Sequence, residues 1–157
     1  MAHESIGIDV RKQGVGNHAR LRLYASTEVH SSIQKAVELL GLGSDSIRWI
    51  EVDEDFRLSL DSLRQAVNED RERGWHPFCV AASAGSIQTG AIDPLDAVAR
   101  FAAESNLWMH VDGAYGAVAM LDPHSRPLLE GIERADSIEI GRASCRERCR
   151  SRWSPYH

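Results

Sequence analysis

Lysine is nearly missing from this sequence. Of 157 residues only Lys12 and Lys35 carry an ammonium side chain, and no His-Lys dipeptide occurs. Cysteine is almost as sparse: Cys79 stands alone in the apolar run "PFCVAA", and Cys145 and Cys149 lie among arginines near the C-terminus. Three scattered cysteines form no disulfide framework, which suits a reducing, cytoplasmic compartment, and Cys79 reads as a buried structural thiol. No apolar run reaches the roughly 18 residues of a membrane span. The opening "MAHESIGIDV" has no basic region followed by an apolar stretch, so no secretory signal is expected. The glycine-rich phosphate loops of nucleotide-binding proteins and the G-x-S-x-G elbow of serine hydrolases are both absent.

What is present suffices for one ordinary domain, with 43% hydrophobic residues available for a core. The net charge of −5 conceals an asymmetry: residues 1–138 carry 13 Lys/Arg against 21 Asp/Glu, and residues 139–157 carry five Arg against two Glu. The acidic body offers no basic face, so nucleic acid is not an expected partner.

Residues 1–17, broken by Gly7, Gly14 and Gly16, read as a linker or frayed helix end. "LRLYAS" (21–26) and "SIRWIEVD" (46–53) read as strands. "VHSSIQKAVELLG" (29–41) puts Ile33, Ala36, Val37 and Leu40 on one helical face and stops at Gly41. "LSLDSLRQAVNEDRERG" (58–74) is a second amphipathic helix, with Leu63, Ala66 and Val67 inward and Gly74 at its end. "PFCVAASAG" (77–85) is continuously apolar, as a strand buried on both faces would be. "DPLDAVARFAAESN" (93–106) opens with Asp93 as N-cap and Pro94 at the first helical position. "LWMHVD" reads as a strand, "SRPLLEGIERA" (125–135) as a helix, and "DSIEI" begins another strand. Strand and helix alternate with short connections, which predicts a mainly parallel α/β sheet flanked by helices. Such sheets bind ligands beyond the carboxyl ends of their strands.

Three stretches at those ends carry polar groups. Asp112 closes the strand "LWMHVD". It can cap the "DGAY" turn, join His110 as an H-x-D metal pair, or hold the proton on a cationic ring nitrogen. A protonated pyridine of that kind absorbs carbanion electrons in pyridoxal phosphate chemistry. His30, in "TEVHSSIQKA", either satisfies a helix start together with Ser31 and Ser32 or stacks on a planar ring. "ASAGSIQTGAID" (82–93) offers Gly85, Ser86, Thr89 and Gly90, either as a common turn or as a loop that approaches a ligand.

Taken in order, "YASTEVHSSIQKAVELLG", "ASAGSIQTGAIDPL", "LWMHVDGAYGAVAML" and "GIERADSI" resemble the group II pyridoxal phosphate-dependent decarboxylases, which include aromatic-L-amino-acid and glutamate decarboxylases. The resemblance spans residues 18–138. It implies part of the aspartate-aminotransferase-like large domain, pyridoxal 5'-phosphate as cofactor, and a homodimeric parent. That parent would remove the α-carboxylate of an L-amino acid, a small-molecule substrate, as carbon dioxide. His30 would stack on the cofactor ring with a catalytic part, Asp112 would pair with the pyridine nitrogen, and Ala114 would close the opposite ring face. Ser86 would belong to the cofactor loop, with no metal involved. Two departures stand out. Ile87 occupies a position where many relatives carry threonine, and the Schiff-base lysine of the family's H-K motif is missing. Lys35, one turn into the helix after His30, is a poor substitute. The segments that cradle the phosphate and form the small domain are missing too, so the chain is expected to be a truncated, inactive middle piece. The alternatives are another enzyme of this fold, an aminotransferase or lyase, or a non-catalytic product.

The end, "EIGRASCRERCRSRWSPYH" (139–157), abandons the α/β pattern. The codons GAG ATC GGA AGA GCG TCG TGT AGG GAA AGA, continued after a one-base slip by TGT AGA TCT CGG TGG TCG CCG TAT CAT, encode all of it. They spell a common sequencing adapter. The tail is therefore expected to be non-native, with residues 141–157 unpacked and no function in Cys145, Cys149 or the nearby arginines.

Overall fold

A computed structural model describes residues 20–141. The expected linker over 1–17, Lys12, and the tail residues 142–157 with Cys145 and Cys149 lie outside the described residues.

Five strands, β1 (Leu21–Ser26), β2 (Ile47–Ile50), β3 (His76–Ser83), β4 (Trp108–Gly113) and β5 (Ser137–Ile140), form one parallel sheet ordered β2-β1-β3-β4-β5. Three helices, α1 (Ser32–Leu39), α2 (Leu60–Glu72) and α3 (Leu95–Glu104), fill the crossovers after β1, β2 and β3. The apolar runs explain the central strands: every residue of β1 is buried, as is the second half of β3. On one face Tyr24, Val80, Ala82, Met109 and Val111 share a core with Leu63, Ala66 and Val67 of α2 and Val98, Phe101 and Ala102 of α3. On the other, Leu23, Ala25, Cys79 and Ala81 pack with Ile33 and Val37 of α1. Helices on both faces of a parallel sheet are the expected α/β class.

The helix stops are local. Gly41 and Gly74, at φ +73° and +75°, follow α1 and α2, and Asn106 at φ 54° follows α3. Each helix closes with the paired bonds of a Schellman motif: Gly41 N–H donates to Glu38 O and Leu42 N–H to Val37 O, and the same pattern recurs at Gly74/Trp75 and Asn106/Leu107.

Three expectations need correction. The stretch 125–135 is not a helix but two short 3-10 turns, Arg126–Leu129 and Ile132–Arg134. Between them Gly131 takes φ +94° with its Cα hard against Asp96, where a Cβ would lie 2.3 Å from Asp96 Cα. The face of α1 is narrower than its sequence pattern: Ile33 and Val37 are buried, whereas Ala36 is exposed and Leu40, beyond the helix end, is 63% exposed. Asp93 does not cap α3. Pro94 holds the cap position with no side-chain cap bond, and the Asp93 carboxylate turns to other partners.

Candidate functional site

The strand order dictates where a ligand fits. From β1 the chain runs outward to β2, then crosses back to β3 and on to β4 and β5, so the direction of winding reverses between β1 and β3. Connections on the two sides diverge there and leave a crevice past the carboxyl ends. A cavity of about 280 Å³ lies in that region, lined by His30 and Ser32 after β1, Ser83 to Ile87 except Ala84 at the end of β3, and Asp112, Ala114 and Tyr115 at the end of β4; Glu139 of β5 completes it. His30, Ser86 and the Asp112–Ala114 turn, far apart in sequence, therefore share one cavity.

Asp112 stands opposite Ser83 on one side and Glu139 on the other in the strand register. Its Oδ1 accepts one long bond, 3.3 Å, from Ala114 N–H, so a turn cap of the expected kind is present but weak. The carboxylate is only half-buried, and no Lys or Arg pairs with it among the described residues. The H-x-D metal reading fares worse. His110 bonds Ser137 Oγ through Nδ1 at 2.9 Å, and no group of three candidate metal ligands occurs among the described residues.

At His30 the two readings are compatible. Nδ1 accepts from Ser32 N–H at 3.3 Å and lies 3.0 Å from Ser32 Oγ, so the ring serves the start of α1. An accepting Nδ1 leaves the proton of the neutral ring on Nε2, with the ring exposed at the cavity. Ser86 is buried, and its hydroxyl is engaged inside its loop, 2.6 Å from Thr89 Oγ1 and accepting from Thr89 N–H at 3.1 Å. Ala114 is exposed at the cavity with a side chain too small to block it. Ile87, which offers no hydroxyl, is 66% exposed and lines the cavity, as does Tyr115.

Sequence reasoning missed Ser83, Tyr115 and Glu139 as lining residues. Ser83 had a usable signal, because it ends the β3 run two residues past Ala81 on the same face. Cys79, read as structural, is buried, and its thiol is pushed up to about 12, first by burial and then by the Asp136 carboxylate.

The fold and the cavity together define a parallel α/β protein with a cavity beyond its strand ends. The chain belongs to the pyridoxal-dependent decarboxylase family, whose conserved domain matches residues 8–142. It is 40% identical to the aromatic-L-amino-acid decarboxylase of Bacillus atrophaeus over 118 residues, covering 75% of this chain and 25% of that protein. Against the cysteine sulfinic acid decarboxylase of Homo sapiens it is 39% identical over 130 residues, 83% of this chain and 26% of the other. The crystal structure of mouse CSAD superposes with a TM-score of 0.83 at 39% identity, over 87% of this chain and 29% of that one. The chain thus spans about a quarter of the length of the curated relatives it matches.

Proposed function

We propose that this chain is a segment of the cofactor domain of a pyridoxal phosphate-dependent amino-acid decarboxylase, with His30, Ser86, Asp112 and Ala114 lining the cofactor cavity. One observation carries the reading: a carboxylate without a basic partner among the described residues shares a strand-end cavity with an imidazole. A half-buried anion in such a place favours a cationic ligand group, and a ring nitrogen held protonated by it is that group. When bound, pyridoxal 5'-phosphate supplies a ring that takes up the electrons left behind as carbon dioxide departs.

The chain's own residues then have distinct tasks. Asp112 holds the proton on the ring nitrogen. His30, its orientation set by Ser32, presents a flat face to the ring and a polar Nε2 edge to the substrate carboxylate. Ala114 lets the opposite ring face approach the backbone, and the Ser86 loop closes the end beside β3. The intact parent releases carbon dioxide from an L-amino acid to give an amine, is a homodimer, and is cytoplasmic on its cysteine usage. The 157-residue chain itself is inactive. Lys35 lies exposed on α1 and does not line the cavity, and no His-Lys pair exists to supply a Schiff base.

Equilibrium dialysis of pyridoxal 5'-phosphate against the purified chain and Asp112→Ala tests this. A hydrogen bond to a charged group contributes about 1.5–3 kcal/mol, so Asp112→Ala should bind about tenfold more weakly or worse. Binding in the native chain should proceed without the visible absorption of a lysine-bound cofactor. Equal affinity of the two proteins would remove the cofactor reading. A lysine-bound spectrum would remove the claim of inactivity.

A further inference from the structure

The family's activity leaves one buried acid unexplained. Asp93 is 4% exposed, does not line the cavity, and pairs with no Lys or Arg among the described residues. Its two carboxylate oxygens are nonetheless fully directed. Oδ2 accepts from Ser83 N–H at 2.7 Å, and Oδ1 accepts from Leu58 N–H at 2.7 Å. Its own N–H donates to Ser83 O at 2.9 Å, so Asp93 and Ser83 are joined by two reciprocal bonds. Burying an uncompensated anion is costly, and two short charge-assisted bonds to backbone amides are what makes it tolerable.

The consequence is geometric. Residues 84–92 leave the end of β3 and return to Asp93, carrying Gly85, Ser86 and Ile87 past the cavity. Above the Ser83–Asp93 clamp the loop is braced by the Ala84–Ile92 bridge, Ser86 N–H to Ala91 O and Gly90 N–H to Ser86 O. Ala84 N–H in turn donates to Asp112 O at 2.9 Å, which ties the loop base to the strand end that bears the carboxylate. Through Leu58 the same side chain also holds the 52–58 hairpin, which closes at the Val52–Leu58 bridge.

We propose that Asp93 is a positioning residue for the cavity: its carboxylate clamps the 84–92 loop at its base and so fixes Ser83, Ser86 and Ile87 relative to Asp112. The link to cofactor binding rests on the function proposed above, whereas the clamp itself does not.

The experiment compares the full chain with Asp93→Asn, Asp93→Ala, Asp112→Ala and a control, Val67→Ala, a fully buried core residue of α2 away from the cavity. Amide hydrogen exchange is measured without ligand, and pyridoxal 5'-phosphate affinity by dialysis. Both Asp93 variants should exchange about tenfold faster or more in 84–92 and 52–58 while β1 and the middle of β3 keep their protection. Their affinity should fall about tenfold or more, with Asp93→Asn, which keeps one acceptor oxygen, less affected than Asp93→Ala. Val67→Ala should raise exchange across the chain by a common factor with no selective change in 84–92. Asp112→Ala should weaken binding and leave loop exchange as it was. A uniform rise in exchange in Asp93→Asn, or native affinity there while Asp112→Ala binds weakly, overturns the proposal. So does failure of both Asp93 variants to fold, which would make the role purely structural. Native affinity in Asp112→Ala instead overturns the cofactor reading, and loop exchange still decides the clamp.

Discussion

Gly116 is a position where adding one methyl group should be costly for reasons of space alone, and that cost can be read from the backbone. A Cβ there would lie 2.0 Å from Ala84 O and 2.9 Å from Ala84 C. Carbon and oxygen in contact need about 3.3 Å or more, so the two backbone segments must separate by about 1 Å. Gly116 itself sits at φ −104°, an ordinary value, so backbone strain contributes nothing and the penalty is purely one of space. Overpacking typically costs about 1–3 kcal/mol, and with no flexible side chain to yield, Gly116→Ala should reach the upper end, about 3 kcal/mol. In a chain of this size that lowers Tm by about 10 °C. Gly74→Ala supplies the contrast. Its φ is +75° with nothing within 4 Å, so only the left-handed conformation is penalised, by about 1 kcal/mol. Urea unfolding followed by tryptophan fluorescence, with thermal melts by circular dichroism, ranks the two. Because Gly116 presses the 113–116 turn onto Ala84 and Gly85, its substitution should also weaken pyridoxal 5'-phosphate binding, whereas Gly74→Ala should not. A Gly116→Ala chain as stable as Gly74→Ala would refute the close approach of these segments.

Two further outcomes follow from buried titratable groups. Cys79, with its thiol pushed up to about 12, should resist iodoacetamide at mildly alkaline pH until urea unfolds the chain, as read by peptide mapping; rapid labelling in the native state would place it outside the core. The Asp93 carboxyl is held above its ordinary value of 3.8 because burial outweighs the two amide bonds it accepts. The folded chain therefore takes up this proton at higher pH than the unfolded chain does. The resulting stability is present in full below the ordinary value and is lost as pH rises through the folded-state value. The stability difference between the native chain and Asp93→Asn should thus shift against the native chain over that interval, and a difference flat in pH would argue that the carboxyl is solvated.

Much of the fold is legible because its signals are local. The "PFCVAA" run announces a strand buried on both faces, and Gly41 and Gly74 announce the stops of α1 and α2 at the positions where the Schellman bonds close. The misreadings arise where a distant segment decides. "SRPLLEGIERA" has helical spacing, but Gly131 must pass within touching distance of Asp96 on α3, and no property of residues 125–135 states that. "DP" before an apolar run is a normal helix start, yet Asp93 is claimed by Leu58 and Ser83, 35 and 10 residues away. Side-chain oxygens serve whichever buried amides most need an acceptor, and that need is fixed only when loops meet.

The cavity shows the same division more sharply. His30, Ser86 and Asp112 stand at the carboxyl ends of three strands adjacent in the sheet order β1-β3-β4, so each lies in a separate stretch of the sequence. Each taken alone had an ordinary explanation, and the structure keeps all of those explanations in force: His30 serves the start of α1, Ser86 bonds Thr89, and Asp112 bonds Ala114 N–H. What distinguishes the site is what those bonds leave over. The ordinary bonds engage His30 at Nδ1 and Asp112 at Oδ1, so the imidazole Nε2 edge and one carboxylate oxygen remain for a ligand in the same space. On the proposed function, local hydrogen bonding would therefore orient these groups for the cofactor rather than compete with it. Ser32→Ala removes the Ser32 Oγ bond to His30 Nδ1 and keeps the backbone N–H bond, so it should loosen the ring without abolishing the cavity.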